Sequence, residues 1–338
     1  MSKSLARSSG LAPSSAVSIP ALRQLEPSLI LLLRFFHLQP TAATGENRCD
    51  MRIKKAVITA AGSGQRNLPI QTLFDQQGTE RSVLSLIVRE AVRAGIDDIC
   101  IVVWPGDEEP YAKLLSDDQA RLTFVRQTEA RGYAHAIFCA RDFVKDEPFL
   151  HCVGDHIYVG SEPGGCARQL VEVATAEDCA VSAVQVTRES LLPRYGTVGG
   201  QQVPGKPGFY RVEAVLEKPN PTEAEQRLIV PGLRSGHYLC FFGMHVLTPA
   251  IFDILSATLS GAPNGRANLS SALAELAQRE QYLAVIEKGQ RFDIGVKYGL
   301  FTAQLALALN GDDQAQVLAE LVNVLAARNM RSEEGAVD

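Results

Sequence analysis

Apolar residues fall in short runs along the first half of the chain, with segments of helical spacing between them. Ala56-Val57-Ile58-Thr59-Ala60 is an apolar run ending in glycines, and Ile99-Cys100-Ile101-Val102-Val103 is a second. Runs of this kind suit strands buried on both faces, as in a parallel sheet. Between them Ser82 stands where an N-cap belongs, Val83, Leu84, Ile87, Ala91 and Val92 follow at helical spacing, and Gly95 is placed to end the helix. A helix over Glu108–Leu115, a strand over Leu122–Arg126, a helix over Ala134–Phe143 and a strand over Phe149–Val153 continue the alternation. The pattern predicts an α/β fold with a wound sheet flanked by helices.

The second half is less regular. Ala180–Val186, Phe209–Leu216 and Tyr238–His245 read as strands, whereas Gly196–Gly200 and Gly205-Lys206-Pro207-Gly208 read as turns. Pro249–Leu255 starts a helix, and Leu269–Arg279 and Gly299–Leu309 have helical patterns. Val317–Ala327 is an amphipathic terminal helix, with fraying expected beyond it. The expected organisation is one domain over 51–311, with a terminal helix and tail over 312–338. That helix is the candidate surface for a homo-oligomer.

The first fifty residues differ. They are rich in Ser, Ala, Leu and Arg, with no acid before Glu26. The apolar run from Ser28 to Leu33 is cut by Arg34 and is too short to span a membrane. It lies far from the amino terminus for a signal peptide. The segment reads as a disordered extension, a targeting segment or translated upstream sequence. The last is favoured, because Met51-Arg52-Ile53-Lys54-Lys55 leads straight into the first strand.

Composition narrows the function classes. The formal net charge of −5 over 338 residues gives no global attraction to nucleic acid or anionic lipid, so any phosphate site must be local. Seven cysteines form no C-x-x-C pair, and most lie in apolar runs. They read as reduced core thiols of a cytoplasmic protein, not as zinc ligands.

The chemistry begins at Ala60-Ala61-Gly62-Ser63-Gly64-Gln65-Arg66, directly after the first strand. Glycines there let backbone N–H groups face a phosphate without obstruction by Cβ. The dinucleotide fingerprint needs a third glycine where Asn67 stands, and the Walker Gly-Lys-Ser/Thr is absent. Arg66 beside such a loop suits a triphosphate.

The loop and five later segments, in order, resemble the bacterial UTP–glucose-1-phosphate uridylyltransferases and the wider sugar nucleotidyltransferases. Arg126-Gln127 followed by Arg131-Gly132-Tyr133-Ala134-His135-Ala136 resembles that family's R-Q…G-x-x-H-A, and Gly154-Asp155 its strand ending in a metal-binding Asp. Tyr195-Gly196-Thr197-Val198 resembles its Y-G-V-V, Glu217-Lys218-Pro219 its E-K-P, and Asp293-Ile294-Gly295-Val296-Lys297-Tyr298 its late D-x-G-x-x-x-Y segment. The resemblance runs from about Lys54 to Gly311. It implies a Rossmann-like nucleotidyltransferase fold with a mixed, mostly parallel sheet and a less regular sugar-binding half.

It further implies transfer of a nucleotidyl group from a nucleoside triphosphate, UTP first, to a sugar 1-phosphate, glucose 1-phosphate first. By this resemblance Ala61, Gly62, Gly64, Gln127 and Gly132 bind the nucleotide, while Gly196 and Glu217 face the sugar. Arg66, Lys218 and Lys297 are the phosphate cations, and Asp155 and Asp293 hold Mg²⁺. His135 and His156 are read as structural, because the reaction needs no histidine base.

The family's two lysines after the loop are absent from Leu68-Pro69-Ile70-Gln71-Thr72-Leu73-Phe74-Asp75-Gln76-Gln77. A second reading follows from that departure: a catalytically weak nucleotide- or sugar-nucleotide-binding regulatory protein on the same fold. A nicotinamide-dependent oxidoreductase is disfavoured by Asn67.

Overall fold

The computed structural model describes residues 51–62, 64, 66–160, 162, 164–261 and 267–334. The described residues belong to one compact unit, Asp50–Asp338, and the expectations for residues 1–50 lie outside them. The chain opens with β1 (Lys55–Ala60), a small hairpin of β2 (Thr72–Phe74) and β3 (Glu80–Ser82), and α1 (Val83–Arg93). Then come β4 (Asp98–Val103), α2 (Glu108–Leu114), β5 (Arg121–Arg126), α3 (Tyr133–Cys139) and α4 (Arg141–Val144). β6 (Phe149–Val153), β7 (His156–Val159), α5 (Gly165–Glu177) and β8 (Ala180–Arg188) follow. The second half holds β9 (Gly196–Gln202), β10 (Phe209–Glu217), α6 (Pro221–Arg227), β11 (His237–Leu247), α7 (Ala250–Gly261) and α8 (Leu269–Arg279). It closes with β12 (Tyr282–Ile286), β13 (Gln290–Asp293), α9 (Gly299–Leu309) and α10 (Gln314–Glu334).

Nine strands form one mixed sheet in the order β5-β4-β1-β6-β11-β8-β12-β10-β9, with β9 also pairing back onto β11. The parallel pairings gather in the first half, where β1 lies between β4 and β6. Beyond β6 the pairings are antiparallel except β8 with β12. Alternation along β1 sorts the core. Ala56, Ile58 and Ala60 join the layer containing α1, α5 and α9, while Val57 and Ala61 join the layer containing α3, α7 and α8. Burial on both faces explains why β1 and β4 read as unbroken apolar runs.

Local signals hold where the sequence placed them. The Ser82 hydroxyl accepts from Ser85 N at 3.1 Å, capping α1, and Gly95 follows its end with φ +86°. Other expectations are corrected. The expected helix over Ala134–Phe143 is two pieces, broken at Ala140, whose N–H bonds Ile137 O three residues back. Gly196–Gly200 is not a turn but the body of β9. A Cβ on Gly200 would lie 1.9 Å from Arg211 O, and one on Gly199 2.8 Å from Leu228 Cα. These glycines permit close backbone approach inside a strand. α10 continues through Glu334 where fraying was expected. Helix α5 gave no sequence signal because its cap is tertiary: the Glu90 carboxylate, from α1, accepts from Ala167 N at 3.3 Å. No described helix is long and apolar enough to cross a membrane.

Candidate active site

The carboxyl ends of β1 and β6 open into a cleft of about 600 Å³, the place where wound α/β sheets present ligand sites. Thr59, Ala60, Ala61 and Gly62 form its edge at β1. Gly154 lets β6 pass close to that edge, since a Cβ there would lie 2.3 Å from Thr59 O. Gln127, Gly132, Asp155, Gly196, Glu217 and Lys218 all line the cleft. Five segments far apart in sequence thus meet at one cleft.

Gln127 is buried, and its amide nitrogen bonds Gly132 O at 3.0 Å and His135 Nδ1 at 3.1 Å. Burial lowers the His135 pKa, which favours the neutral ring that accepts this bond. Gly132 has φ +92°, a conformation that a side chain would strain. His135 thereby holds the Gln127 amide in place.

Glu217 and Lys218 are neighbours, so on a regular strand they would face opposite ways. Both nevertheless line the cleft. Lys218 adopts φ +48° as β10 ends, which breaks the alternation, and its N–H bonds Tyr195 O at 3.2 Å. The Glu217 carboxylate accepts from the Ser270 hydroxyl at 2.6 Å. Gly196 is explained by packing: a Cβ would lie 2.7 Å from both the Phe241 ring and the Ser270 hydroxyl.

Asp293 reaches the site through the small β7–β13 ladder, where it is the antiparallel partner of His156. Ile294 N bonds Asp155 O at 3.0 Å. One ligand atom each from Asp155, His156 and Asp293 lies within 4.8 Å of the others. Two carboxylates plus an imidazole are a donor set that suits a divalent cation.

Two cations and one glycine named from the sequence lie elsewhere. Arg66 is exposed and its guanidinium grips Asp107, with Nε 2.9 Å from the carboxylate; that hydrogen bond raises its pKa. Lys297 is exposed, its ammonium 4.9 Å from the Tyr298 ring centroid. Neither these residues nor the exposed Gly64 belong to the cleft lining. The structure adds cleft residues that sequence reading missed. Arg194 supplies a cation just before the Y-G-T-V segment, and Phe241 and His245 come from β11. Tyr133 lies within the G-x-x-H-A segment, yet its role was invisible there. Its hydroxyl bonds the fully buried His151 Nε2, while His151 Nδ1 faces Val57 O at 2.9 Å. A carbonyl only accepts, so Nδ1 carries the proton and Nε2 accepts from Tyr133.

Residues 55–309 match the family described as nucleotidyl transferase. A UTP–glucose-1-phosphate uridylyltransferase of Staphylococcus saprophyticus is 32% identical over 300 residues, covering 81% of this chain and 98% of that one. Another from Bacillus subtilis is 30% identical over 301 residues, covering 81% and 96%. Among solved structures, a UDP-glucose pyrophosphorylase complexed with UDP-glucose superposes with a TM-score of 0.62 at 25% identity, covering 75% of this chain and 98% of that one. The UTP-bound UGPase of Acinetobacter baumannii gives 0.63 at 24% identity, with 80% and 99% covered.

Proposed function

The chain belongs to the nucleotidyl transferase family, and from that membership we propose that it transfers a uridylyl group from UTP to glucose 1-phosphate. A phosphate oxygen of the sugar phosphate attacks the α-phosphorus of UTP. The new P–O bond forms as the bond from the α-phosphorus to the bridging oxygen breaks, and pyrophosphate leaves with that electron pair. Such a reaction depends on positioning and charge neutralisation more than on covalent work by the protein. The observation that carries the reading is that Asp155, with Asp293 next to it, meets the β1 loop, Gln127 and Lys218 at one cleft.

Each group has a role that its surroundings support. Ala61 and Gly62 offer backbone to the triphosphate, and Gly132 lets the base lie close. Gln127, with its amide nitrogen committed, offers its carbonyl oxygen to a donor such as the uracil N3–H. Glu217, held by Ser270, accepts from sugar hydroxyls beside Gly196. Lys218 and Arg194 neutralise phosphate charge from the cleft wall, while Arg66 and Lys297 would have to swing in when substrate binds. Asp155 and Asp293 would hold the divalent ion, Mg²⁺ being the expected one. When bound, it neutralises charge on the phosphate oxygens.

The six described cysteines are all free, which fits a reducing cytoplasmic setting. The exposed stripe of Leu318, Val322 and Leu325 on α10 is the face through which two copies would associate. Sedimentation of wild type and Leu325→Asp checks that association.

The second reading, a binding protein without turnover, draws on the absence of lysine from 68–77 and on the Arg66–Asp107 clasp. Pyrophosphate release with UTP, glucose 1-phosphate and Mg²⁺ separates the two. Release that depends on both substrates supports the enzyme. Binding of UTP with no release for any common sugar 1-phosphate sinks it.

A further inference from the structure

The cation cluster holds a residue that the proposed reaction does not call for. We infer that His156 is a third ligand of this site, through a ring nitrogen, and that its nitrogen turns the preferred ion from Mg²⁺ toward a first-row transition ion such as Mn²⁺. The inference rests on the divalent-cation site of the proposed function and goes beyond it in naming the ion class.

Three observations place the ring. First, His156 and Asp293 are direct partners in the antiparallel β7–β13 ladder, and side chains of such partners lie on the same face. Second, Asp155 sits in the turn between β6 and β7, not in a strand, so adjacency to His156 does not force the two side chains apart. Its Oδ1 lies 2.7 Å from His156 Nδ1. Third, the ring is held from behind. It stacks on Tyr158 with centroids 6.4 Å apart, and the Tyr158 hydroxyl is fixed by Gly243 O at 2.8 Å. Gly243 leaves the neighbouring space open: a Cβ there would lie 3.5 Å from His156 Cδ2 and 2.8 Å from a Val153 methyl. The His156 side chain is only 12% exposed and lines the cleft, so it is ordered before any ion arrives.

Chemistry then selects the ion. Mg²⁺ is a hard cation that takes oxygen ligands and gives up its waters reluctantly. Imidazole is a good ligand for first-row transition ions and a poor one for Mg²⁺. A site of two carboxylates and one imidazole therefore discriminates where a site of carboxylates alone would not. Three other described histidines are committed elsewhere. His151 and His245 are buried and bonded inside the sheet, and His135 holds Gln127.

Mn²⁺ titration of the full chain without nucleotide, read by electron paramagnetic resonance, tests this directly. Mg²⁺ competition measures the preference, and pulsed measurements detect ¹⁴N coupled to the bound ion. Wild type should show one nitrogen-coupled Mn²⁺. His156→Asp should bind Mn²⁺ without nitrogen coupling, and its Mn²⁺-over-Mg²⁺ preference should fall about tenfold or more. His156→Gln provides a second variant with loss of the same coupling. Wild-type Mn²⁺ bound without nitrogen coupling, or coupling that survives both substitutions, overturns the inference and leaves the proposed reaction standing. No binding of either ion by wild type overturns it together with the cation part of that reaction.

Discussion

Asp293 lies directly opposite His156 in the β7–β13 ladder, so a backbone register, and not a loop, delivers the second carboxylate to Asp155. A carboxylate placed by a ladder is fixed before substrate binds. Asp155→Asn and Asp293→Asn should each lower pyrophosphate release by about 10²-fold or more. Circular dichroism should show the fold retained, because both residues are only partly buried and asparagine keeps their shape. Rates within a factor of about three of wild type would remove these residues from the reaction.

Lys218 combines a place in the cleft wall with a strained backbone. A non-glycine residue at φ +48° carries about 1 kcal/mol of strain. Lys218→Gly should relieve it, whereas Lys218→Ala should not. The glycine variant is therefore expected to be more stable than the alanine variant by about 1 kcal/mol in urea unfolding. Both should lose turnover to a similar extent, since both lack the ammonium. Equal stability of the two variants would show that the conformation is not strained.

Gly196 has no room for a methyl group. Gly196→Ala would press on the Phe241 ring and on the Ser270 hydroxyl that holds Glu217. Overpacking of this kind costs about 1–3 kcal/mol. The variant should melt earlier and show a raised KM for the sugar phosphate, with the KM for UTP changed much less. A variant that melts with wild type would mean that β9 and α8 yield at this point.

His151 and His245 should make the protein acid-sensitive. Burial holds His151 at about 4 and His245 well below its ordinary value. Above pH 6.5 both states are neutral and stability is indifferent to these groups. As pH falls from 6.5 toward 4 the unfolded chain takes up protons that the folded protein refuses, and stability declines. His151 alone accounts for on the order of 3 kcal/mol across that window. His151→Leu should be less stable at pH 7 by about 1–3 kcal/mol, because the Tyr133 hydroxyl loses its acceptor. Its decline between pH 6.5 and 4 should be shallower than that of wild type. An unchanged slope in urea unfolding across that range would exclude His151 as the source.

Much of this molecule was legible along the chain. Strands β1, β4 and β6 were visible because burial on both faces demands unbroken apolar runs, and α1 because its cap and stop are local. The ordered motifs located Gln127, Asp155, Gly196, Glu217 and Lys218, all of which line one cleft. Elements stabilised by distant partners were not visible. Helix α5 begins under the carboxylate of Glu90, and β9 reads as a glycine-rich turn until Arg211 and Leu228 are brought against it.

The sequence by itself determined the family, the α/β architecture and the polar and glycine residues of the ordered motifs. Those follow from periodicity and from motif order, which are properties of the chain taken linearly. Only the tertiary structure decided which of these groups meet. It turned Glu217 and Lys218 to the same side through one left-handed residue, and set Arg66 against Asp107 outside the cleft lining. It also placed His156 with Asp155 and Asp293. Register and backbone handedness fix where side chains point, and they arise from pairing between segments remote in sequence.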